Sequence, residues 1–384
     1  MKKYLLFILF LVCVCTLLLP KKSGYSRDCD ELYGILSKKD FGPFDNQKTL
    51  YIKVGFDYIP YELIELFEDL TGVKVVTDIF DSNEMLEAKL LAGGAQYDVV
   101  FPTAWPHFVR QLKAGVYKKI DKTKIDRSKF DPDIMERLSR YNNGDEYCLP
   151  YQFGISGIGI NEKIIDELIP GAPKDSLALL FDPRYVEILS KYRISIYESS
   201  DELFPAVLAY LGLNPETENE EDIVAASEHL NKIRKYIAKF SANGFEDLAS
   251  GNACITLGMS GDILNVIRSS TNNDSIKFIF PKEGAAIWVD VAAIPLGAKH
   301  TKNAYAFFRF LFHPRVIAYA TNKTSRANAV IASAEFINKE LLKNVNIFPS
   351  IEIRKKCYQE KPTSSKIEAL KNRLLTKIKS MDDG

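Results

Sequence analysis

Short apolar runs rich in β-branched residues alternate with amphipathic stretches along most of this chain, and that alternation restricts the possible folds more than any other feature. "TLYIKVGF", from Thr49, reads as a strand. "YELIELFEDLTG" follows as a helix, with Leu63, Ile64, Phe67 and Leu70 on one face and Gly72 closing it. "VKVVTDIF" is a strand, "DSNEMLEAKLLAGG" a helix with an acidic first turn, and "YDVVFP" a short buried strand. The same grammar returns after residue 185. "YRISIY" leads into the helix "DELFPAVLAYLG", and "NACITLGM" into "SGDILNVIRSS". "IWVDVAAI" precedes one long helix, "TKNAYAFFRFLFHP", and "SKIEALKNRLLTKIKS" is an amphipathic helix near the C-terminus. Such alternation implies parallel strands with crossover helices, an open α/β sheet. A chain of 384 residues exceeds what one core usually serves, so two domains are expected. The aromatic and glycine-rich "EYCLPYQFGISGIGIN" suits a chain crossing between two lobes.

Composition narrows the function classes. Lys+Arg and Asp+Glu are both 50, and a net charge of zero argues against a nucleic-acid binder. At the N-terminus, Lys2 and Lys3 precede the apolar run from Tyr4 to Leu19, which ends at Pro20. That is the pattern of a secretory signal. As a helix the run spans ~24 Å, short of the ~30 Å hydrocarbon core. Residues 1–25 are therefore expected to be a signal peptide or an N-terminal membrane anchor, with lipid modification at Cys13 or Cys15 as a further route to tethering. Residues 26–47 are expected to form a tether with one short helix. The rest is expected to be exported. Cys29, Cys148, Cys254 and Cys357 allow three full disulfide pairings, and the sequence does not choose among them. His107, His229, His300 and His313 are scattered, and no metal site or cofactor is expected.

The candidate site lies at strand ends, because ligands of open α/β sheets bind beyond the carboxyl ends of the strands. Asp57-Tyr58 ends the first strand and Thr103 ends "YDVVFP". Glu202 and Asp262 each follow a later strand. All three of Asp57, Glu202 and Asp262 also lie near helix starts, where acids cap or favour the positive end of the helix. Asp290 is different. It sits inside "KEGAAIWVDVAAIP", where no helix begins. Period-two alternation puts Trp288, Asp290 and Ala292 on one face and Ile287, Val289, Val291 and Ala293 on the other. A buried carboxylate needs a partner, either a permanent ion pair or hydrogen-bond web, or a ligand. An indole and a carboxylate two residues apart can together hold a methylene chain and its ammonium head. The indole face would add ~0.5–2 kcal/mol.

These stretches resemble the polyamine-binding proteins of bacterial ABC importers, the putrescine-binding branch most closely. The likeness runs from about Lys48 to near Lys377. It is carried by "DYIPYELIELFEDLTGVKVVTDIFDSNEMLEAKLLAG", "YDVVFP", "RQLKAGVYKKIDKTKI", "LPYQFGISGIGIN", "ASGNACITLGMSGD" and "PKEGAAIWVDVAAIP". The resemblance implies the two-lobed periplasmic binding protein fold (type II), with a hinge of crossing strands and the ligand in the cleft. It implies Asp57, Glu202, Asp262 and Asp290 as the acids near the ammonium groups, Trp288 and Tyr58 as aromatics, Thr103 as the hydroxyl and Ser241 as a further polar contact. The chain departs from the family pattern at Gly55 and Phe56, where a Trp and a Ser or Thr are usual, and at Met259, where a second Trp is common. It departs again at Arg326 in "NKTSRANAV", the place of a pocket tyrosine. Arg326 is expected either to pair with a pocket acid such as Asp57 or to receive a ligand carboxylate. It is also the candidate permanent partner of Asp290.

The expected organisation is a first lobe of residues 48–152 plus 276–330 and a second of 153–275 plus 331–384. The expected function is capture of a small cationic solute, putrescine or a related polyamine. A periplasmic monomer would deliver it to a membrane permease driven by a cytoplasmic ATPase, without catalysis. The alternatives are the same fold binding a basic amino acid or conjugate, and a carboxylate-dependent hydrolase.

Overall fold

A computed structural model describes residues 27–80, 82–93, 96–241, 243–269, 275–359 and 363–380. The expected leader, residues 1–25, lies outside the described residues. Among those described, no helix is long and apolar enough to cross a membrane.

The first lobe is built as the alternation implies. β1 (Thr49–Gly55) pairs in parallel with β2 (Lys74–Phe80) and β3 (Val99–Val100), with the helices Tyr61–Thr71 and Asn83–Leu91 as crossovers. The first helix buries Leu63, Ile64, Leu66 and Phe67 and stops at Gly72, whose φ of 72° is the left-handed conformation that glycine adopts without strain. Gly72→Ala should therefore cost ~1 kcal/mol through backbone strain alone. An added Cβ there would meet nothing closer than Lys38 Nζ at 3.8 Å. Thermal melting checks this, and no change in Tm would refute it.

β4 (Cys148–Asn161) is the long strand that joins the lobes. Fourteen residues at ~3.3 Å each reach ~46 Å, enough to run through both. Its first half pairs antiparallel with β9 (Ile287–Ala293) and β10 (Ala327–Asn328). Its second half pairs with β7 (Ile255–Met259) and β8 (Ile276–Ile279). β5 (Ile194–Ile196) and β6 (Lys239–Phe240) complete the second lobe's sheet in parallel with β7. The chain crosses between lobes near residues 155–156, again at 280–286, and again at Tyr358. The three crossings are stitched together: Ser156 N donates to Ala286 O at 2.9 Å, Tyr358 N to Ala285 O at 3.1 Å, and Ile287 N to Tyr358 O at 3.1 Å.

Several boundaries differ from the sequence expectation. Residues 276–279 pair with Ile158–Asn161 in the second lobe, so the chain returns to the first lobe later than 276. Residues 331–357 stay with the first lobe. Ile347 and Cys357 are buried in its core, and Arg354 Nη1 donates to Asp131 at 2.9 Å. The segment expected as a tether with one short helix does carry a helix, Arg27–Ile35, but it is packed rather than free, with Cys29, Leu32, Leu36 and Phe41 buried in the same core. "TKNAYAFFRFLFHP" is not helical to its end, as the reading of one long helix expected. The helix stops at Leu311, and Pro314 opens a second helix, Pro314–Thr324. Proline is favoured there because the first helical N–H has no partner to lose. Cys29, Cys148, Cys254 and Cys357 are all buried with free thiols, packed as small apolar residues rather than joined in disulfides.

Candidate functional site: an acidic cleft holding an arginine

Asp290 lies in the centre of β9, opposite Gln152 of β4, and is 4% exposed. Its face looks toward the end of β3. Thr103 Oγ1 donates to Asp290 Oδ1 at 2.8 Å. Thr103 is itself oriented by Asn83, whose Nδ2 donates to Thr103 Oγ1 at 3.1 Å while its Oδ1 accepts from Thr103 N at 3.0 Å. With one lone pair used by Asn83, the single hydroxyl proton is directed at the carboxylate. The Tyr58 hydroxyl lies close enough to favour the charged form of Asp290. Burial pushes the Asp290 carboxyl up to about 6, and the hydroxyls of Thr103 and Tyr58 and nearby Arg326 keep it from rising further.

Tyr58 is placed by a loop that reverses after β1. Asp57 adopts φ 56°, a left-handed conformation that Asp tolerates better than most residues. The Tyr58 ring then folds back over Gly55, where a Cβ would stand only 2.7 Å from the ring. Glycine at 55, one of the departures from the family pattern, is what admits the ring. The Tyr58 carbonyl is gripped from β4 by the Tyr151 hydroxyl at 2.7 Å and Gln152 Nε2 at 3.4 Å. Trp288, two residues before Asp290, lies over Gly154 of β4 and beside Ser260, and is 8% exposed.

The second lobe contributes two acids from helix starts. Asp262 is in the first turn of the helix Ser260–Ser269, and Glu202 in the first turn of the helix Ser200–Tyr210. Glu202 Oε2 is shut off from solvent with no hydrogen-bond partner among the described residues. Burial, reinforced by Asp201 and Asp262, pushes its carboxyl up to about 8.

Arg326 bridges the lobes. It follows the Pro314–Thr324 helix of the first lobe, and its Nη2 donates to Asp262 Oδ1 of the second at 3.2 Å. Its Nη1 donates to the Asp57 carbonyl at 3.2 Å, and its guanidinium lies 5.4 Å from the centre of the Tyr58 ring. At an effective dielectric near 20 the pair with Asp262 is worth ~5 kcal/mol before desolvation, against ~0.5–2 kcal/mol for the ring. Asp262 therefore fixes the position of Arg326, and Tyr58 supports it. Burial opposes the charge of Arg326, but Asp262, Tyr58 and Asp290 more than offset this, leaving its pKa raised.

The structure thus brings together Tyr58, Thr103, Asp262, Trp288, Asp290 and Arg326, with Glu202 beside Asp262. Two expected residues stand apart. The Asp57 side chain is exposed, and Asp57 meets Arg326 only through its carbonyl, so the expected Arg326–Asp57 ion pair is replaced by Arg326–Asp262. Asp290 has the Thr103 hydroxyl rather than Arg326 as its direct partner. The Ser241 hydroxyl accepts from Asn243 N at 3.1 Å in the turn after β6, a local backbone role. Asn83, Tyr151, Gln152 and Gly154 escaped sequence reasoning. For Asn83 the only signal was a helix-start asparagine, and for the other three the polar and glycine punctuation of "YQFG" within an apolar strand.

Residues 62–348 match the family described as bacterial extracellular solute-binding protein. The chain is 38% identical over 341 residues to the putrescine-binding periplasmic protein SpuD of Pseudomonas aeruginosa, covering 87% of this chain and 93% of that one. It is 36% identical to the putrescine-binding periplasmic protein PotF of Escherichia coli, covering 87% of this chain and 92% of that one. The substrate-binding protein PotD of a spermidine/putrescine ABC transporter from Streptococcus pneumoniae superposes with a TM-score of 0.75 at 21% identity, over 86% of this chain and 98% of that one. That last likeness concerns the fold, the two-lobed α/β type. The chain belongs to the bacterial extracellular solute-binding protein family.

Proposed function

We propose that the cleft captures a small organic cation of the putrescine class in the periplasm, and that the protein delivers it as a monomer to the permease of an ABC importer powered by a cytoplasmic ATPase. The observation that carries this reading is Asp290. It is a carboxylate buried in an apolar strand, flanked on its own face by Trp288, and its one side-chain hydrogen bond among the described residues comes from the neutral Thr103 hydroxyl. An ammonium group would supply the charge it lacks, and the indole would cover the attached methylenes. The relatives named for putrescine agree with this chemistry. No covalent step is needed, since closure of two lobes over a solute is the ordinary transition of this architecture. A carboxylate-bearing ligand is not favoured, because Arg326, its natural anchor, is engaged by Asp262.

Titration calorimetry with putrescine, cadaverine, spermidine and agmatine tests the reading. At least one should bind well below millimolar concentration and be recovered unaltered. No binding by any of the four at millimolar concentration removes it.

A further inference from the structure

We propose that Arg326 is a built-in occupant of the cleft, its guanidinium standing at Asp262 in place of one of the two cationic ends of a diamine. The wild-type cleft then grips one ammonium group tightly and gains little from a second. This rests on the cation-capture reading above and sharpens its substrate class.

Arg326 is seated in a nest shaped for it. Asp262 takes Nη2, the Asp57 carbonyl takes Nη1, and the centre of the Tyr58 ring lies 5.4 Å from the guanidinium. Two glycines make room. A Cβ on Gly261 would stand 3.2 Å from Arg326 Cγ and Nε, and one on Gly55 would push the Tyr58 ring off its place. Gly55 and Arg326 are both departures from the family pattern, and here they are parts of one arrangement: Gly55 lets Tyr58 fold back, and Tyr58 then supports Arg326. Side-chain exposure of 13% keeps the guanidinium largely out of solvent. A permanently charged group held this way competes with a ligand ammonium for Asp262, whereas Asp290, hydrogen-bonded by the Thr103 hydroxyl and only indirectly influenced by Arg326, forms no ion pair among the described residues and stays open to one. Glu202, near Asp262, has one carboxyl oxygen shut off from solvent, and burial raises its pKa, so its charged form is disfavoured as a substitute for the acid that Arg326 has taken.

The test compares butylamine, with one ammonium, and putrescine, with two, on the same four-carbon chain. By calorimetry on the full chain, wild type should bind the two within about threefold of each other. Arg326→Gln should bind putrescine at least tenfold more tightly than wild type does, with butylamine changed less than threefold. Arg326→Met, which keeps the length without the charge, should behave alike and serves if Arg326→Gln does not fold. A wild type that already prefers putrescine by tenfold overturns the proposal without any variant. So does a folded Arg326 variant with unchanged or weaker putrescine binding. If neither amine nor any longer polyamine binds wild type or variant, the cation reading itself fails. That outcome is distinct from amines binding without regard to Arg326.

Discussion

Asp290→Asn is expected to lower affinity for an organic cation on the order of a hundredfold, yet to leave the ligand-free protein more stable at pH 7, by roughly 2 kcal/mol. The two effects have one cause. The carboxyl of Asp290 is raised from 3.8 to about 6 by burial, so the folded state holds a proton that the unfolded chain has already lost between those values. A raised carboxyl contributes stability below its unfolded value, and that contribution is lost as pH rises through about 6. Two units correspond to ~2.7 kcal/mol, from which the imperfect fit of an amide to the Thr103 hydroxyl subtracts a part. Melting curves of wild type and variant should therefore separate as pH rises from about 4 to 7 and converge at the acid end. Glu202 is raised too, to about 8, so both proteins should continue to lose stability above pH 6, and the difference between them isolates Asp290. A fall of several kcal/mol on Asp290→Asn would mean that a permanent ion pair had been broken, which ordinarily costs ~3–5 kcal/mol, and would sink the ligand-partner reading.

The strands were legible because apolar runs bounded by turn residues leave few alternatives. β1, β2, β5, β7 and β9 all fall within the stretches read as strands. The pairing of Trp288 with Asp290 on one face follows from the two-residue period, and the structure keeps it. Three things depended on tertiary placement instead. Residues 331–357 carry no mark of the lobe they join; it is Arg354 against Asp131, more than two hundred residues away, that holds them to the first. Arg326 had several acids within plausible reach, and only the approach of the second lobe decides for Asp262. Glu202 looked like a helix-start acid with no sign of a raised pKa. Its burial beside Asp262 is what raises it, and burial of one oxygen cannot be read from spacing.

Gly154→Ala is expected to damage both stability and binding, because a single methyl there collides with the indole that faces the cleft. A Cβ at 154 would lie 2.3 Å from Trp288 Cζ2, 2.8 Å from Ser260 Oγ and 2.8 Å from Trp288 Cε2. Carbon atoms rest at ~3.5–4.0 Å, so the ring must shift by more than an ångström or β4 must part from β9. Neither is easy. Trp288 and Gly154 are register partners, both strands are buried, and an indole cannot bend aside as an aliphatic tip can. Overpacking of this kind costs ~1–3 kcal/mol, and a rigid neighbour puts this site at the upper end. If the ring shifts, Trp288 no longer covers the methylenes beside Asp290, and putrescine affinity should fall at least tenfold. Gly258→Ala provides the control. Its Cβ would meet Ile263 Cδ1 at 3.3 Å, a flexible contact away from the indole, so amine binding should hold. Tryptophan emission reports the movement directly, since Trp105 and Trp288 are the two indoles of the chain. A Gly154→Ala protein with displaced emission but undiminished putrescine binding would remove Trp288 from the ligand cage and leave Asp290 as the main determinant on the first lobe.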